Sequence, residues 1–110
     1  MTLTFTRYLY NADEVVLTLI ECLLKHHNLD ECYYWIYEYY KSGYQEQTWK
    51  LMFKIYYDFY MLKNPRFEEK INEKYIKWKE TNDVKFVLWI IKNLFRFESC
   101  YTIFLLRVYH

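Results

Sequence analysis

Apolar residues recur along this chain with the period of α-helices, and polar signals separate one apolar segment from the next. The first segment ends at about His26 and has helical spacing throughout. Its apolar positions are Val15, Val16, Leu19, Ile20, Leu23 and Leu24. Asn11 and Glu14, at the start of this segment, have the spacing of a capping box. The pattern therefore predicts a helix that begins just after Asn11.

The same start signal returns as Asn28 followed by Glu31, which predicts a second helix to about Lys41. Gly43 then stands where a helix C′ residue adopts the left-handed conformation. A third helix is predicted over residues 44–62, with one aromatic and apolar stripe. That stripe consists of Trp49, Met52, Phe53, Tyr56, Phe59 and Tyr60.

Asn64 and Pro65 indicate a cap followed by proline at the first position of a fourth helix, which is the most polar and extends to about Glu80. Residues 81–83 form the next break. A fifth helix should bury Val84, Val87, Leu88, Ile91, Leu94 and Phe95. A sixth runs from about Ser99 to His110 without an acidic residue or a stop signal.

Six short helices with connections of two to four residues favour an all-α bundle of antiparallel neighbours. The repeated start signal also leaves a solenoid of helical hairpins open. Residues 2–6 alternate as a strand does and are expected to form a short extended arm. At 110 residues the chain is predicted to be one domain, 1–110, and its uncapped apolar end suggests that the natural chain continues.

Aromatic residues make up 24% of the chain, with 14 Tyr, 8 Phe and 4 Trp against one Gly and one Pro. So few turn residues argue against an all-β protein, and so many aromatics argue against disorder. A core of this size cannot hide 26 aromatic side chains, so some should face a partner or solvent.

The sharpest aromatic run is residues 33–40, where seven of eight side chains are large and apolar or aromatic. Such a helix is either central to the core or lies between its own domain and a partner, and Tyr and Trp are typical interface anchors. The same argument applies to the third helix and to the apolar C-terminus. The predicted interface residues are Tyr33, Tyr34, Trp35, Tyr37, Tyr39, Tyr40, Trp49, Tyr56, Tyr57, Tyr60, Phe104, Leu105 and Tyr109.

Net charge is +1, but residues 1–40 carry −4 and residues 41–110 carry +5. The asymmetry favours head-to-tail contacts or an acidic partner for the second half, and is too weak by itself to indicate nucleic-acid binding. On the fourth helix, basic residues and two stacking candidates, Tyr75 and Trp78, provide a nucleic-acid alternative. The basic residues are Lys70, Lys74, Lys77 and Lys79. Interleaved glutamates, such as Glu73 before Lys77, instead favour a solvated helix with intrahelical ion pairs.

Four potential zinc ligands lie within eleven residues: Cys22, His26, His27 and Cys32. Their spacing matches no common zinc module, and isolated helical cysteines are usually buried, so no metal or other cofactor is expected. Three cysteines and a start without the features of a secretory leader favour a reducing, intracellular compartment. No apolar run approaches 18 residues, so no membrane partner is expected.

Catalytic motifs are not recognisable. Ser42 and Ser99 lack a nucleophile elbow, and a single glycine excludes a P-loop or a glycine-rich dinucleotide-binding motif. The acidic residues occupy exposed-looking helical positions beside lysines, although carboxylates distant in sequence could still meet in the fold. We therefore expect a non-enzymatic protein.

The segments Cys32–Tyr44 and Ile55–Pro65 resemble uncharacterised tyrosine-rich helical proteins of giant, nucleocytoplasmic large double-stranded DNA viruses. In that group an acidic aromatic helix ends in Tyr-x-Ser-Gly-aromatic, and Tyr-Asp-aromatic-Tyr and Asn-Pro follow. The resemblance covers about residues 28–80, and residues 104–107 are similar to the same pattern. It implies no catalytic residues. It implies a viral structural or interaction protein in the host cytoplasm, a virus factory or the virion.

Overall fold

Regular secondary structure is helical throughout the part of the chain that the computed structural model describes, which is residues 12–25, 28–97 and 99. The helices are α1 (Ala12–Leu24), α2 (Leu29–Lys41), α3 (Gln45–Ile55), α4 (Phe67–Thr81) and α5 (Lys85–Arg96). A π-helical segment, Tyr56–Tyr60, continues α3. The all-α prediction is confirmed over the described residues, which contain five of the six predicted helices. The predicted sixth helix and the N-terminal arm lie outside the described residues.

Contacts divide the chain after Thr48 into two compact units, residues 1–48 and 49–110. In the first unit, α1 packs against α2. Both helices contribute fully or almost fully buried side chains: Val15, Leu19, Cys22 and Leu23 from α1, and Cys32, Ile36 and Tyr40 from α2. The periodicity read from the sequence identifies this buried face in part. Val15, Leu19 and Leu23 are buried as predicted, whereas Val16, Ile20 and Leu24 are half-buried. The expectation of a single domain stays a prediction.

Aromatic rings dominate the interior of the second unit, where α4 contacts α5. Trp49 lies with its ring centroid 5.2 Å from Tyr75 and 5.6 Å from Trp78, and those two rings stack on each other at 6.0 Å. Phe67 stacks on Trp89 with centroids 5.8 Å apart. Much of the aromatic excess is thus used inside the chain, in the offset and edge-on arrangements that aromatic pairs prefer.

The start of α2 and its end follow the predicted signals. The Asn28 side chain accepts a hydrogen bond from the Asp30 amide at 2.8 Å, which satisfies one of the free amides of the first turn. Ser42 is the C-cap, and Gly43 follows it with φ = +93°. Glycine tolerates this conformation without the steric cost that a Cβ would add.

The start of α4 differs from the prediction, because Pro65 is not its first residue. The helix begins at Phe67, and residues 64–66 form a turn. Hydrogen bonds join Asn64 to both sides of this turn. Its side-chain amide donates to the Tyr60 carbonyl (3.1 Å), and its own carbonyl accepts from the Tyr56 hydroxyl (2.6 Å) and the Phe67 amide (3.2 Å). Asn64 therefore links the end of the preceding helix to the first residue of α4.

The third predicted helix changes geometry halfway. The Met61 amide donates to the Tyr56 carbonyl at 2.9 Å, five residues back, which is the π-helical pattern. This segment buries Tyr56, Asp58, Phe59 and Tyr60. Of the predicted stripe, Phe53 is only half-buried, whereas Ile55 is buried.

The buried face of α5 is displaced from the predicted one. Its members are Val87, Ile90, Ile91 and Leu94. Val84, Leu88 and Phe95 were expected to be buried and are half-buried. Nearly every residue from 86 to 95 is apolar, so periodicity alone could not fix which stripe faces inward. None of the described helices combines the length and the apolar character needed to cross a membrane.

Candidate interaction surfaces

One stripe of α2 faces solvent. Tyr34 and Tyr37 are 46% and 36% exposed, and the exposed residues Asp30 and Lys41 lie before and after them. These four positions follow the i, i+4, i+7, i+11 spacing, which places them on one side of a helix. We call Asp30, Tyr34, Tyr37 and Lys41 the α2 stripe. It presents two phenol rings between one acidic and one basic group.

The rings of the α2 stripe are held by neighbours in the same helix. Tyr34 meets Trp35 edge-on, with ring centroids 4.9 Å apart. The Lys41 ammonium lies 5.5 Å from the centroid of Tyr37, within the range of a cation–π contact. Both tyrosines are thereby restricted before any partner arrives, which lowers the entropy that binding has to overcome.

The remaining aromatic residues of α2 are half-buried or buried. Tyr33, Trp35 and Tyr39 are half-buried, and Tyr39 stacks on Tyr44 with centroids 4.9 Å apart. Burial raises the pKa of Tyr39, and the neighbouring Tyr44 and Asp13 add to the shift. Tyr40 is 1% exposed and belongs to the core. α2 is thus covered over most of its circumference, and its exposed residues are those of the α2 stripe and Glu31.

The predicted interface residues of the third helix are mostly interior. Trp49, Tyr56 and Tyr60 are at most 1% exposed, so in this conformation they contribute to the core and not to a contact surface. Tyr57 is half-buried, and its hydroxyl donates to the Glu68 carboxylate at 2.8 Å. That hydrogen bond raises the pKa of Tyr57, and partial burial adds to it. Three further predicted residues, Phe104, Leu105 and Tyr109, lie outside the described residues.

Exposed aliphatic residues were absent from the predicted interface. Leu17 on α1, Leu62 after the π-helical segment and Ile76 on α4 are 66%, 50% and 60% exposed. The exposure of Leu17 could have been predicted from the sequence, because Leu17 lies outside the apolar stripe of α1. Isolated exposed aliphatic residues are common on protein surfaces, so they do not by themselves define a site.

Two acidic residues are buried, contrary to the expectation that the acids occupy exposed positions. Glu38 is 0% and Asp58 is 4% exposed. The Ser42 hydroxyl donates to the Glu38 carbonyl at 2.7 Å and lies 3.4 Å from its carboxylate. Both acids stand between aromatic residues in the sequence, and that context predicts burial better than their own polarity does.

The lysines of α4 make contacts within the chain. Lys77 pairs with Glu73 at 3.3 Å, as predicted, and this hydrogen bond lowers the pKa of Glu73. Lys74 lies 4.5 Å from the ring centroid of Trp89, and Lys79 lies 5.1 Å from that of Tyr75. Trp78, expected to be available for stacking on bases, is buried at 3% exposure. Among the four predicted nucleic-acid lysines, Lys70 is the one that lines the cleft described below, and it is exposed.

The two described cysteines, Cys22 and Cys32, are free and buried. The Cys22 thiol lies 3.6 Å from the Glu31 carboxylate as a hydrogen-bond donor. Burial is the main cause of a raised pKa at both thiols. The pKa of Cys22 lies above its ordinary value, and that of Cys32 rises to about 12. His26 and His27 lie outside the described residues, and within the described ranges no three potential ligands cluster around a metal site. Neutral thiols of this kind behave as small apolar core residues.

No protein-family model matches this chain, and no curated protein or solved structure matches it at a significant level.

Proposed function

We propose that this chain is a non-enzymatic interaction or structural module that presents the α2 stripe to a protein partner or to a second copy of itself. The observation that supports this proposal is the exposure of Tyr34 and Tyr37 on a helix whose other aromatic residues are half-buried or buried. Tyrosine is enriched among the residues that dominate binding energy, because its ring is large and rigid and its hydroxyl remains polar.

The resemblance to tyrosine-rich proteins of giant viruses supplies the context of the proposal. In that context the module acts in the cytoplasm of an infected cell, in a virus factory or in the virion. Its partner is then a viral or host protein, or another copy of the chain.

The alternative, a nucleic-acid-associated factor that uses α4, has less support. Lys74 and Lys79 lie over aromatic rings of their own chain, and Lys77 is paired with Glu73. Binding of a phosphate by these lysines would compete with contacts that already exist. Stacking on Trp78 would require its exposure from the core.

Replacement of the exposed tyrosines tests the proposal. The double variant Tyr34→Gln, Tyr37→Gln keeps good helix formers on α2 and removes both rings. We expect the affinity for a partner, or for a second copy, to fall by about tenfold or more, because two interface anchors worth at least ~1 kcal/mol each are lost. Analytical ultracentrifugation measures self-association, and quantitative capture from lysate measures partner binding.

Ile76→Gln is the matched control, since it also replaces an exposed apolar residue on a helix. It should leave both measurements unchanged. A wild-type chain that stays monomeric at high concentration and captures no partner would contradict the proposal. Equal losses in the control and the double variant would do so as well.

A further inference from the structure

A cleft of about 410 Å³ opens at the start of α4, within the second unit. Three basic side chains, Lys63, Arg66 and Lys70, line it together with Pro65, Phe67 and Phe97. Its volume falls within the range of sites that hold small ligands. The lining combines a concentration of positive charge with apolar rings, and among the described residues no acidic side chain contributes to it.

The positive charge of the cleft comes from its side chains. Glu68 and Glu69 occupy the first turn of α4 and offset the positive end of the helix dipole. The Glu68 carboxylate accepts a hydrogen bond from the Tyr57 hydroxyl at 2.8 Å, which holds this carboxylate beside Tyr57. Three cations around one small concave surface therefore set its preference for an anion.

The apolar wall is rigid. Phe67 is 8% exposed and stacks on Trp89, with ring centroids 5.8 Å apart. Phe97 meets Phe67 edge-on, with centroids 4.8 Å apart. Pro65 restricts the backbone of the turn that forms the rim. A flat apolar group that binds here would therefore contact a surface that is already formed.

We propose that this cleft binds a small phosphorylated molecule with a flat apolar body, of which a mononucleotide is the simplest example. Arg66 is suited to the phosphate because a guanidinium donates two parallel hydrogen bonds to it, and the two lysines add charge around the same group. The rings of the cleft contact the apolar body. This inference goes beyond the proposed function, since the α2 stripe belongs to the other unit and none of its residues takes part.

Titration of the full chain with adenosine 5′-monophosphate, followed by amide chemical shifts, tests the inference. Adenosine and inorganic phosphate, used separately, each carry half of the recognised chemistry. We expect the monophosphate to shift the amides of residues 63, 64, 66–70 and 97 and to bind at least about tenfold more tightly than either half. Each of Lys63→Gln, Arg66→Gln and Lys70→Gln should weaken it by roughly twofold to fivefold, as expected for one screened ion pair.

Lys50→Gln and Lys54→Gln are the controls, because both remove an exposed lysine from α3 and neither residue lines the cleft. They should leave the affinity unchanged, and thermal unfolding verifies that every variant is folded. Absence of any shift at millimolar monophosphate would overturn the inference. Equal weakening by the control substitutions would also overturn it. So would an affinity for oligonucleotides that increases with their length and falls equally when any of the lysines is replaced. Those last results would indicate an extended basic surface and not a cleft.

Discussion

Individual tyrosines in this chain have two distinct roles, and their surroundings separate them. Tyr56 is 0% exposed, and its hydroxyl donates to the Asn64 carbonyl at 2.6 Å, so both the ring and its polar end are used internally. Tyr37 has the same chemistry and is 36% exposed beneath Lys41. A buried hydroxyl without a partner would cost about 1–3 kcal/mol, so the hydrogen bond to Asn64 allows Tyr56 to serve as a core residue.

Ionisation of Cys32 should make the stability of the chain fall as the pH becomes alkaline. Its thiol has a pKa of about 12 in the folded chain, against an ordinary value of 9.0. Because the folded pKa is raised, the contribution to stability is complete below pH 9 and is lost as pH rises toward 12. Cys32→Ala should reduce the pH slope of the unfolding free energy by up to about 1.4 kcal/mol per pH unit.

Urea unfolding of the wild type and Cys32→Ala in parallel between about pH 9 and pH 10 measures the difference in slope. The tyrosines also begin to ionise in this range, but both proteins contain the same tyrosines, so their contribution cancels in the difference. Ile36→Val is the control, since it removes one buried methyl group from the same helix. It should lower stability by about 0.5–1.5 kcal/mol at every pH and leave the slope unaltered. Identical slopes for Cys32→Ala and the wild type would contradict the assignment.

At the scale of the helices, polar groups at the ends decide where each element begins and stops. Asn28 and Gly43 limit α2 as their residue types predict. Asn82 ends α4 in the left-handed conformation, at φ = +56°, which asparagine tolerates better than most residues. Asn64 has the residue type of an N-cap but is also bound to the preceding helix, because Tyr56 and Tyr60 supply partners for both its carbonyl and its side-chain amide.

Loss of the N-cap of α2 should destabilise the chain. Asn28→Ala removes the acceptor of the Asp30 amide, and we expect a loss of about 1 kcal/mol in unfolding free energy. Asn28→Asp keeps an acceptor oxygen and should retain most of the wild-type stability. Chemical denaturation of the three proteins provides the comparison. Equal stability of the alanine and aspartate variants would show that the cap contributes nothing.

For the whole molecule, the uneven distribution of charge and the aromatic surface imply different responses to salt. Residues 1–40 carry −4 and residues 41–110 carry +5. Contacts between exposed charges are screened beyond about 10 Å at 0.1 M salt. Burial of tyrosine rings depends much less on ionic strength. Salt therefore distinguishes an interface centred on the α2 stripe from association driven by charge.

We expect association through the α2 stripe to change by less than about twofold between roughly 0.05 M and 0.5 M sodium chloride, because the rings provide most of the binding energy. Binding to a nucleic acid would weaken by orders of magnitude over the same range through counterion release. Sedimentation at both salt concentrations, beside titration of a single-stranded oligonucleotide, makes the measurement. A steep loss of protein association with salt would instead favour head-to-tail contacts between oppositely charged segments.

The interaction surface was only partly predictable from the sequence. The aromatic run of α2 was recognised, but its period cannot separate Tyr34 and Tyr37 from Tyr40, because all three are tyrosines and nearly every neighbour is apolar as well. The packing of α2 makes that choice. Of the three basic residues of the cleft, only Lys70 was singled out from the sequence, as a candidate nucleic-acid contact. Their convergence depends on the turn at residues 64–66, which places Phe67 and not Pro65 at the start of α4.

The sequence by itself determined the helical class, the ends of α2, the break between α4 and α5 and three of the four buried positions of α1, because these follow from local hydrogen bonding and from the 3.6-residue period. Only the tertiary structure decided which aromatic residues are buried, where the π-helical segment interrupts the third helix and how the acids Glu38 and Asp58 come to be interior. In a chain where 24% of the residues are aromatic, hydrophobicity no longer distinguishes inside from outside. The neighbours that each ring meets in the fold then make that distinction.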